Sequence, residues 1–351
     1  MAHRMGCGLA ALMLLIAFMA AGGGTAMAQA ETPFVSGKAC RADYRQYCRA
    51  TRPGSGAVST CLREHAEQLS SECRVSLEQY RSERRRGGPQ SKATSLPQGA
   101  RVQHDVAYGP LPQQRMDIYS PDKKAENAPV IVMLHGGAWA RGSKTAANVV
   151  DNKVTHWLPK GYIFVSVETR LLPAADPLLQ ASDLASALAM VQQKAASWGG
   201  DPDRIVLMGH SSGAHVAALL SVDKAIAATA GVKPWRATVA LDSAAYDIGR
   251  IMRAKPARLY QRAFGEDPAY WAKVSPALQL DSPKGIPAML LVCSSLRRSS
   301  CDQARDFAAK AGGKASTLVV ALRHEDINTK LGTRGIYTDD VDAFLRRLGF
   351  N

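Results

Sequence analysis

Downstream of residue 28, the sequence lacks any apolar run long enough to cross a bilayer, which predicts a mature protein without a membrane span. It also lacks internal repeats with a period of about 20 to 50 residues, which solenoid and propeller proteins show. No two cysteines have the Cys-x-x-Cys spacing of many zinc sites, and no nucleic-acid-binding motif is present. These absences argue against a membrane-spanning protein, a repeat protein, a zinc protein and a nucleic-acid partner.

The sequence does contain a large apolar fraction and an excess of positive charge. Of its 351 residues, 46% are hydrophobic, which is enough for one large core or for a mid-sized domain with a small one. The 44 basic and 30 acidic residues give a formal net charge of +14. That balance favours a soluble basic surface, and it is also compatible with weak contact with anionic envelope polymers.

The N-terminus has the order of features that is typical of a secretory signal peptide. Arg4 supplies a positive start, residues 8–21 are apolar, and Ala26-Met27-Ala28 is a small-x-small cleavage site. We therefore expect residues 1–28 to be removed and the protein to be exported, either to the periplasm or to the medium. An uncleaved N-terminal anchor is the alternative.

The cysteines suit an exported protein, because the six that follow the signal region are an even number and suggest three disulfides. Residues 36–80 favour helix with one break at residues 52–56, so two antiparallel helices joined by a short loop are expected. In such a hairpin the cysteines nearest the turn face each other, and so do the outer two. The predicted pairs are Cys48 with Cys61 and Cys40 with Cys73.

The cysteine spacing, with Cys-Leu-Arg-Glu-His at residues 61–65, resembles the cysteine-rich repeat named after a Golgi glycoprotein, which also occurs in exported bacterial proteins. The resemblance implies no particular chemistry. Residues 81–100, which follow, are polar, basic and interrupted by Gly and Pro, as is typical of a linker.

From residue 101 to residue 351, short apolar runs alternate with longer amphipathic stretches. This alternation indicates an α/β domain with a mostly parallel sheet and helices on both faces, and with functional groups at the carboxyl ends of the strands. The predicted strands are RVQHDVAYG, RMDIYSP, PVIVMLHGG, YIFVSVETR, RIVLMGHS, TVALDSA, PAMLLVCSS and TLVVALRH. The predicted helices cover residues 147–158, 183–196, 213–221, 301–311 and 339–348.

Ser211 lies where one of these strands turns into a helix. The apolar run Ile-Val-Leu-Met is followed by Gly209-His210-Ser211-Ser212-Gly213 and then by an alanine-rich amphipathic segment. A reversal within five residues strains the central backbone, and the small residues at both ends leave room for that strain. The pattern predicts a serine nucleophile held clear of the sheet at a helix N-terminus.

Two glycines follow an earlier buried strand, in His135-Gly136-Gly137. Glycine permits unusual dihedral angles and close backbone approach, so amide hydrogens of this loop can converge outside the sheet. The amides of Gly136, Gly137 and Ser212 are therefore predicted to form an oxyanion hole.

A serine nucleophile needs a base within hydrogen-bond reach. Of the eight histidines, His324 follows the last predicted strand, which is the place expected for the base in the chain order serine, acid, histidine. The others lie in the signal region, the cysteine unit, an opening strand, helices, the serine turn or the glycine loop. His324 is the predicted base.

These motifs are joined by Trp139, Thr169-Arg170-Leu171, the run from Gly200 to Ile205, and Ile327-Asn328. In this order they make residues 101–351 resemble an α/β-hydrolase of the esterase, lipase and arylformamidase-like (BD-FAE-like) group. The resemblance implies a triad of Ser, His and an acid, an acyl-serine intermediate, and no cofactor or metal.

The acid is where the sequence departs from that pattern. Relatives usually place an Asp in the loop after the next-to-last strand, but here residues 294–300 contain no carboxylate. Asp302, just beyond the loop, is the predicted acid, with Asp242, Asp247 or no conventional acid as alternatives. Cys293 and Cys301 flank the loop, and a disulfide between them would pin it.

Together these predictions describe an exported serine esterase that acts on small acyl or aryl esters, free or linked to a polymer. An amide-cleaving relative such as a formamidase is the alternative enzyme. Because the expected loop acid is missing, a non-catalytic binding protein on a hydrolase scaffold is the alternative from another class, with the cysteine-rich unit as its docking module.

Overall fold

The computed structural model describes residues 38–49, 51, 57–77, 96–121 and 126–350. The chain divides into two compact units, residues 1–90 and residues 91–351. The expected signal peptide, the break at residues 52–56 and most of the expected linker lie outside the described residues. Within the described ranges, no helix is both long enough and apolar enough to cross a membrane.

The described part of the first unit contains three short helices, α1 (Arg41–Tyr47), α2 (Ala57–Glu64) and α3 over residues 71–77. The sequence predicts two helices, and the structure divides the second of them. The carboxylate of Asp43 accepts hydrogen bonds from the amide and the hydroxyl of Ser70, at 2.9 and 2.8 Å. The Ser70 hydroxyl in turn accepts from the Cys73 amide at 3.3 Å, so Ser70 caps a new helix.

Two disulfides join these helices, Cys40 to Cys73 and Cys48 to Cys61. They are the pairs that an antiparallel hairpin predicts. Among the described residues, the apolar side chains buried around them are Val58, Leu62, Leu69 and Leu77. A core of this size provides little apolar burial, so the cross-links contribute much of the stability of the unit.

The second unit is built on a sheet of eight strands, and all eight predicted strands are present. They are β1 (Arg101–Ala107), β2 (Arg115–Ser120), β3 (Ala128–Leu134), β4 (Ile163–Val167), β5 (Gly200–His210), β6 (Ala237–Leu241), β7 (Ala288–Ser294) and β8 (Ala315–Val320). Their order in the sheet is β1-β2-β4-β3-β5-β6-β7-β8. Strand β2 pairs antiparallel with β1 and β4, and the other neighbours are parallel, so the expected mostly parallel sheet is confirmed.

Eleven helices of this unit are described. They are α4 (Ala147–Trp157), α5 (Pro177–Lys194), α6 (Ser212–Val222), α7 (Lys224–Thr229), α8 (Ile248–Arg253), α9 (Arg258–Phe264), α10 (Pro268–Lys273), α11 (Pro276–Gln279), α12 (Arg298–Lys310), α13 (His324–Thr329) and α14 (Ile336–Arg347). The short helices α7 to α11 and α13 were not predicted from the sequence, because they lack the long amphipathic period on which such a prediction depends.

The sheet is covered on both faces, as its side-chain alternation requires. In β3, Val130 and Val132 pack into the core shared with α5 and α6, whereas Ile131 and Met133 pack into the core shared with α4 and α14. A third cluster joins α6 and α12 to β6 and β7 on the first of these faces. The carboxyl ends of β3 to β8 are thereby held at one edge of the molecule.

Helix α5 begins at Pro177 rather than at residue 183, where the sequence places its start. The carboxylate of Asp176 accepts a hydrogen bond from the Leu179 amide, and proline is favoured at the first helical position because it needs no amide partner there. The cap therefore lies about two turns before residue 183, where the apolar periodicity becomes clear. Helix α12 likewise begins at Arg298 rather than at residue 301.

Lys153 on α4 is a buried amine, with only 1% of its surface exposed. Its Nζ donates to the carbonyl oxygens of Asn148, at 3.0 Å, and Asn328, at 2.7 Å, and so links α4 to α13. Burial lowers its pKa to about 7, and nearby Asp151 offsets only part of this effect.

Lys153 should make the free energy of unfolding rise with pH above about 7. The unfolded chain keeps the lysine proton up to its ordinary pKa of 10.5, whereas the folded protein has released it, so raising the pH favours the folded state. The slope should approach about 1.4 kcal/mol per pH unit for this group. Urea denaturation between pH 6.5 and 9.5 measures it. Lys153→Met should remove this part of the slope. Lys194→Met, which changes an exposed lysine, should leave the slope as it is in the wild type. Equal slopes for the wild type and Lys153→Met would contradict the assignment.

Candidate active site

Ser211 sits on a sharp turn between β5 and α6, with φ 55° and ψ −116°. The neighbouring backbones are close enough to require glycine on both sides of it. A β-carbon on Gly209 would lie 2.3 Å from the Gly213 carbonyl oxygen, and one on Gly213 would lie 2.3 Å from the His135 carbonyl oxygen. The strained serine and its flanking glycines form the nucleophile-elbow geometry expected from the sequence.

Three side chains form a continuous hydrogen-bonded chain that starts at this serine. The Oγ of Ser211 lies 2.9 Å from Nε2 of His324, and Nδ1 of His324 lies 2.6 Å from Oδ2 of Asp242. They follow β5, β8 and β6 respectively, so the carboxyl ends of three parallel strands bring them together. Ser211 and His324 were singled out from the sequence, and Asp242 was an alternative there.

Asp242 is fully buried and is surrounded by donors. Besides His324, its carboxylate accepts from the Ser294 amide at 2.9 Å, the Ser300 hydroxyl at 2.5 Å and Nη1 of Arg297 at 2.5 Å. Burial alone would raise its pKa, but the hydrogen bonds from His324 and Ser300 and the charge of Arg297 outweigh burial and hold the pKa well below its usual range. The carboxylate is therefore ionised at neutral pH.

The prediction that Asp302 is the acid is contradicted by the structure. Because α12 begins at Arg298, Asp302 lies in the second turn of that helix with its side chain 37% exposed. Its carboxylate is 3.5 Å from Nε of Arg298 and 3.8 Å from Nη1 of Arg305, whereas the carboxylate paired with His324 is that of Asp242. Asp247 is also elsewhere, since it caps α8 by accepting from the Arg250 amide at 2.9 Å.

A disulfide joins Cys293 to Cys301 and encloses the loop between β7 and α12. Both sulfur-bearing side chains are buried. All three donors to Asp242 other than His324 come from this segment, namely Ser294, Arg297 and Ser300. The loop, which lacks a carboxylate of its own, thus positions the carboxylate supplied by β6.

Gly136 and Gly137 pass close to the elbow. A β-carbon on Gly136 would lie 2.9 Å from the His210 carbonyl oxygen and 3.1 Å from Cβ of Ser211, and Gly137 has a φ of +136°. Within the described residues, no acceptor is bonded to the amides of these two glycines. Ser212, the first residue of α6, has no intrahelical acceptor for its own amide. The three residues expected from the sequence line the same pocket as Ser211.

A polar network beneath the glycine loop holds it against the sheet. Glu168, just after β4, accepts from Nε2 of His135 at 2.8 Å and from the Lys144 amide at 3.1 Å. The Lys144 ammonium pairs in turn with Asp117 at 2.6 Å and with Asp105 at 2.9 Å. Both ends of the loop from residue 135 to residue 144 are therefore tied to β2 and β4.

Two buried histidines near the serine are held neutral. Burial, together with the neighbouring charge of His324, lowers the pKa of His210 to about 3, and burial lowers that of His215 to about 4. His210 can therefore donate from Nε2 to the His324 carbonyl oxygen, at 3.0 Å. His215 accepts from Nε1 of Trp139 at 3.1 Å and donates to the Val274 carbonyl oxygen at 2.8 Å. Among the described residues, neither ring is hydrogen-bonded to Ser211 Oγ, whose partner is His324.

The site opens into a pocket of about 610 Å³ that is lined by Ser211, His324 and the glycine loop. Trp139, Leu259 and Tyr260 form its main apolar part, and Asn148, Arg297 and Asn328 contribute polar groups. A pocket of this volume with a few placed polar groups suits a small organic molecule. Leu259 and Tyr260 lie on α9, in the stretch between β6 and β7.

Sequence reasoning missed the residues that position this site. Glu168 directly follows a parallel strand, and that placement was a usable signal, because polar residues at the carboxyl ends of such strands often have functional roles. His215 was treated as part of the turn into α6. Nothing in the sequence except its place in the loop after β7 pointed to Arg297. Its contact with Asp242 depends on how that loop is folded between Cys293 and Cys301.

Residues 116–236 match the BD-FAE family model. Isoprenylcysteine alpha-carbonyl methylesterase ICME of Arabidopsis thaliana is 28% identical over 257 residues, which cover 67% of this chain and 59% of that protein. Carboxylesterase NlhH of Mycobacterium tuberculosis is 32% identical over 126 residues, which cover 36% of this chain and 39% of that protein. The chain spans less than two thirds of the length of these curated relatives.

Solved structures show the same architecture. Esterase B from Lactobacillus rhamnosis matches with a TM-score of 0.60 at 18% identity, covering 78% of this chain and 92% of that chain. Apo Thermogutta terrifontis esterase 2 matches with a TM-score of 0.57 at 23% identity, covering 73% of this chain and 97% of that chain. The second unit has the α/β-hydrolase fold, as the sequence predicts.

Proposed function

We propose that this protein is a serine hydrolase that cleaves small acyl or aryl esters through an acyl-serine intermediate. The observation that carries the proposal is the hydrogen-bonded chain from Ser211 through His324 to Asp242 at a strained turn, beside the unbonded glycine amides. The esterases among its relatives and structural neighbours favour an ester over an amide substrate.

In the proposed reaction, Nε2 of His324 accepts the proton of Ser211 Oγ as that oxygen forms a bond to the ester carbonyl carbon. The carbonyl π electrons move onto its oxygen, and the amides of Gly136, Gly137 and Ser212 stabilise the resulting oxyanion. When the oxyanion collapses, the bond to the alcohol oxygen breaks and His324 returns the proton to that oxygen. Water then attacks the acyl-serine by the same route, releasing the carboxylic acid and restoring Ser211.

Asp242 keeps His324 in the tautomer that this reaction needs. Its carboxylate accepts from Nδ1, which leaves Nε2 free to accept the serine proton. An ionised carboxylate also stabilises the imidazolium that forms when the proton is transferred. The reading of the chain as a non-catalytic binding protein depended on the missing loop acid, and Asp242 removes that reason for it.

Export and the role of the cysteine-rich unit belong to the same proposal. The three disulfides suit an oxidising compartment, and they support export through the signal peptide expected at residues 1–28. We propose that the first unit, held by two of these disulfides, is a cysteine-rich repeat of the Golgi-glycoprotein type. Mass spectrometry of the protein from culture supernatant and periplasm tests export. Recovery of the protein from the cytosol alone, with residues 1–28 still attached, would contradict it.

A basic surface at the end of the sheet opposite the Ser211 pocket supports weak contact of this protein with anionic polymers. Two adjoining grooves share Trp235 and Ile286, and their described lining residues include no carboxylate. Five exposed cations line them and, within the described ranges, form no ion pair: Lys224, Lys233, Arg236, Lys314 and Arg347. Binding to a heparin resin should weaken with salt and with Lys314→Glu, since it depends on charge. Retention indifferent to both would argue against this contact.

A fluorophosphonate probe should label Ser211, because the probe reacts with a serine activated by a neighbouring base. Labelling and hydrolysis of p-nitrophenyl acetate by the purified protein should both disappear in Ser211→Ala. Ser197→Ala is the matched control, since this serine lies in the 3-10 turn that follows α5 and its hydroxyl donates to the Lys194 carbonyl oxygen. Labelling that survives in Ser211→Ala would place the nucleophile elsewhere.

Asp242→Asn should lower kcat for p-nitrophenyl acetate by about 10⁴-fold, because an asparagine amide in this place favours the wrong tautomer of His324. Asp302→Asn should stay within about twofold of the wild type, since its carboxylate pairs only with Arg298 and Arg305 within the described residues. Steady-state kinetics of both variants, with circular dichroism to verify folding, measures the difference. A large loss in Asp302→Asn with an active Asp242→Asn would reverse the assignment.

A further inference from the structure

Arg297 lies where relatives usually carry the acid of the triad, in the loop after β7. Its Nη1 is 2.5 Å from Oδ2 of Asp242 and 2.6 Å from Nδ1 of His324. The side chain is 32% exposed and lines the pocket that contains Ser211. A guanidinium thus contacts both partners of the proposed proton relay and faces the space that a substrate would fill.

This contact is not needed to satisfy the Asp242 carboxylate. Oδ1 already accepts from the Ser294 amide and the Ser300 hydroxyl, and Oδ2 accepts from His324. Arg297 therefore donates to the same oxygen, Oδ2 of Asp242, that orients the His324 ring. It also places a positive charge beside that ring, which itself becomes positive when it takes the serine proton. Like charges at this distance repel, and the single Asp242 carboxylate then faces two cations, so a second anion beside Arg297 would favour the proposed transition state.

The other side of the guanidinium offers a place for such an anion. Within the described residues, neither Nε nor Nη2 of Arg297 has a hydrogen-bond partner, and Asp242 is the only carboxylate within ion-pair distance of the side chain. Glu325, the remaining carboxylate of the pocket lining, is exposed on α13 and is not paired with Arg297. The planar edge formed by Nε and Nη2 matches the two oxygens of a carboxylate.

We propose that Arg297 makes the pocket selective for esters that carry a carboxylate close to the ester bond, on either the acyl or the alcohol part. The inference rests on the proposed ester hydrolysis and names its substrate class. A substrate carboxylate on the Nε and Nη2 edge forms two charge-assisted hydrogen bonds. It also offsets the cation beside His324 as the imidazolium forms, so the advantage is expected in kcat/KM as well as in binding.

The test compares pairs of esters that differ in charge and hardly in shape. Methyl hydrogen succinate carries its carboxylate on the acyl part, and methyl succinamate is its neutral counterpart. Carboxymethyl acetate carries its carboxylate on the alcohol part, and carbamoylmethyl acetate is its neutral counterpart. In at least one pair, kcat/KM of the purified wild type should be about 10- to 100-fold higher for the anion. The pair that shows the preference identifies the side of the ester bond that Arg297 contacts.

Three variants separate recognition from support of Asp242. Arg297→Met should bring the anion-to-amide ratio to about one or lower, whereas Arg297→Lys, which keeps the charge without the planar edge, should retain part of it. Arg298→Met is the matched control, because this neighbouring cation is 94% exposed and does not line the pocket. Its ratio should equal that of the wild type. The ratio is decisive because, if Arg297 only supported Asp242, its loss would lower kcat/KM for both esters of a pair by the same factor.

Wild-type ratios near one in both pairs would overturn the inference while leaving ester hydrolysis intact. The same conclusion follows if Arg297→Met keeps the wild-type ratio, or if Arg298→Met lowers it equally, since the preference would then come from general surface charge. Where Arg297→Met does not fold, the wild-type ratios and Arg297→Lys decide. If every ester, neutral ones included, shows no turnover that depends on Ser211, the proposed function fails together with the inference.

Discussion

The hydrogen bond between Asp242 and His324 is the contact on which the rest of the site depends. A carboxylate with no exposed surface is costly unless donors surround it, and a backbone amide, a hydroxyl, a guanidinium and an imidazole all donate to this one. Each donor fixes a different segment relative to the end of β6. The orientation of the imidazole, and with it the approach to Ser211, follows from how this single buried charge is satisfied.

Close backbone approach is the second constraint, and it explains the small and neutral residues around the serine. Gly209 and Gly213 let α6 leave the sheet within one residue of β5, and Gly136 lets the loop after β3 pass over the turn. The buried rings of His210 and His215 are neutral, so they fill the same layer without adding charge beside the relay. The hydrogen bonds that these rings donate or accept then connect the base, the glycine loop and the stretch before α11.

The fold and much of the site could be predicted from the sequence because their signals are local. Ser211 is flanked by a strand and a helix, His324 follows the last strand, and the disulfide pairs follow from a simple hairpin. The acid could not be predicted, because Asp242 and Asp302 both follow strands at short distances in the chain. What separates them is the start of α12 at Arg298, which turns Asp302 toward solvent, and the enclosed loop, which directs its donors to Asp242. Both features depend on the tertiary structure and therefore leave no local signal in the sequence.

With the acid at the end of β6, the segment between Cys293 and Cys301 carries no member of the proton relay itself. Its two ends are covalently joined across a sequence separation of 8 residues, so the backbone inside it is a short closed ring anchored on β7 and α12. Residues 295–299 lie inside that ring, and Arg297 among them both donates to Asp242 and lines the pocket. A substitution in this ring would therefore act both on what the pocket admits and on the carboxylate that orients His324, so the two properties cannot change independently at this loop.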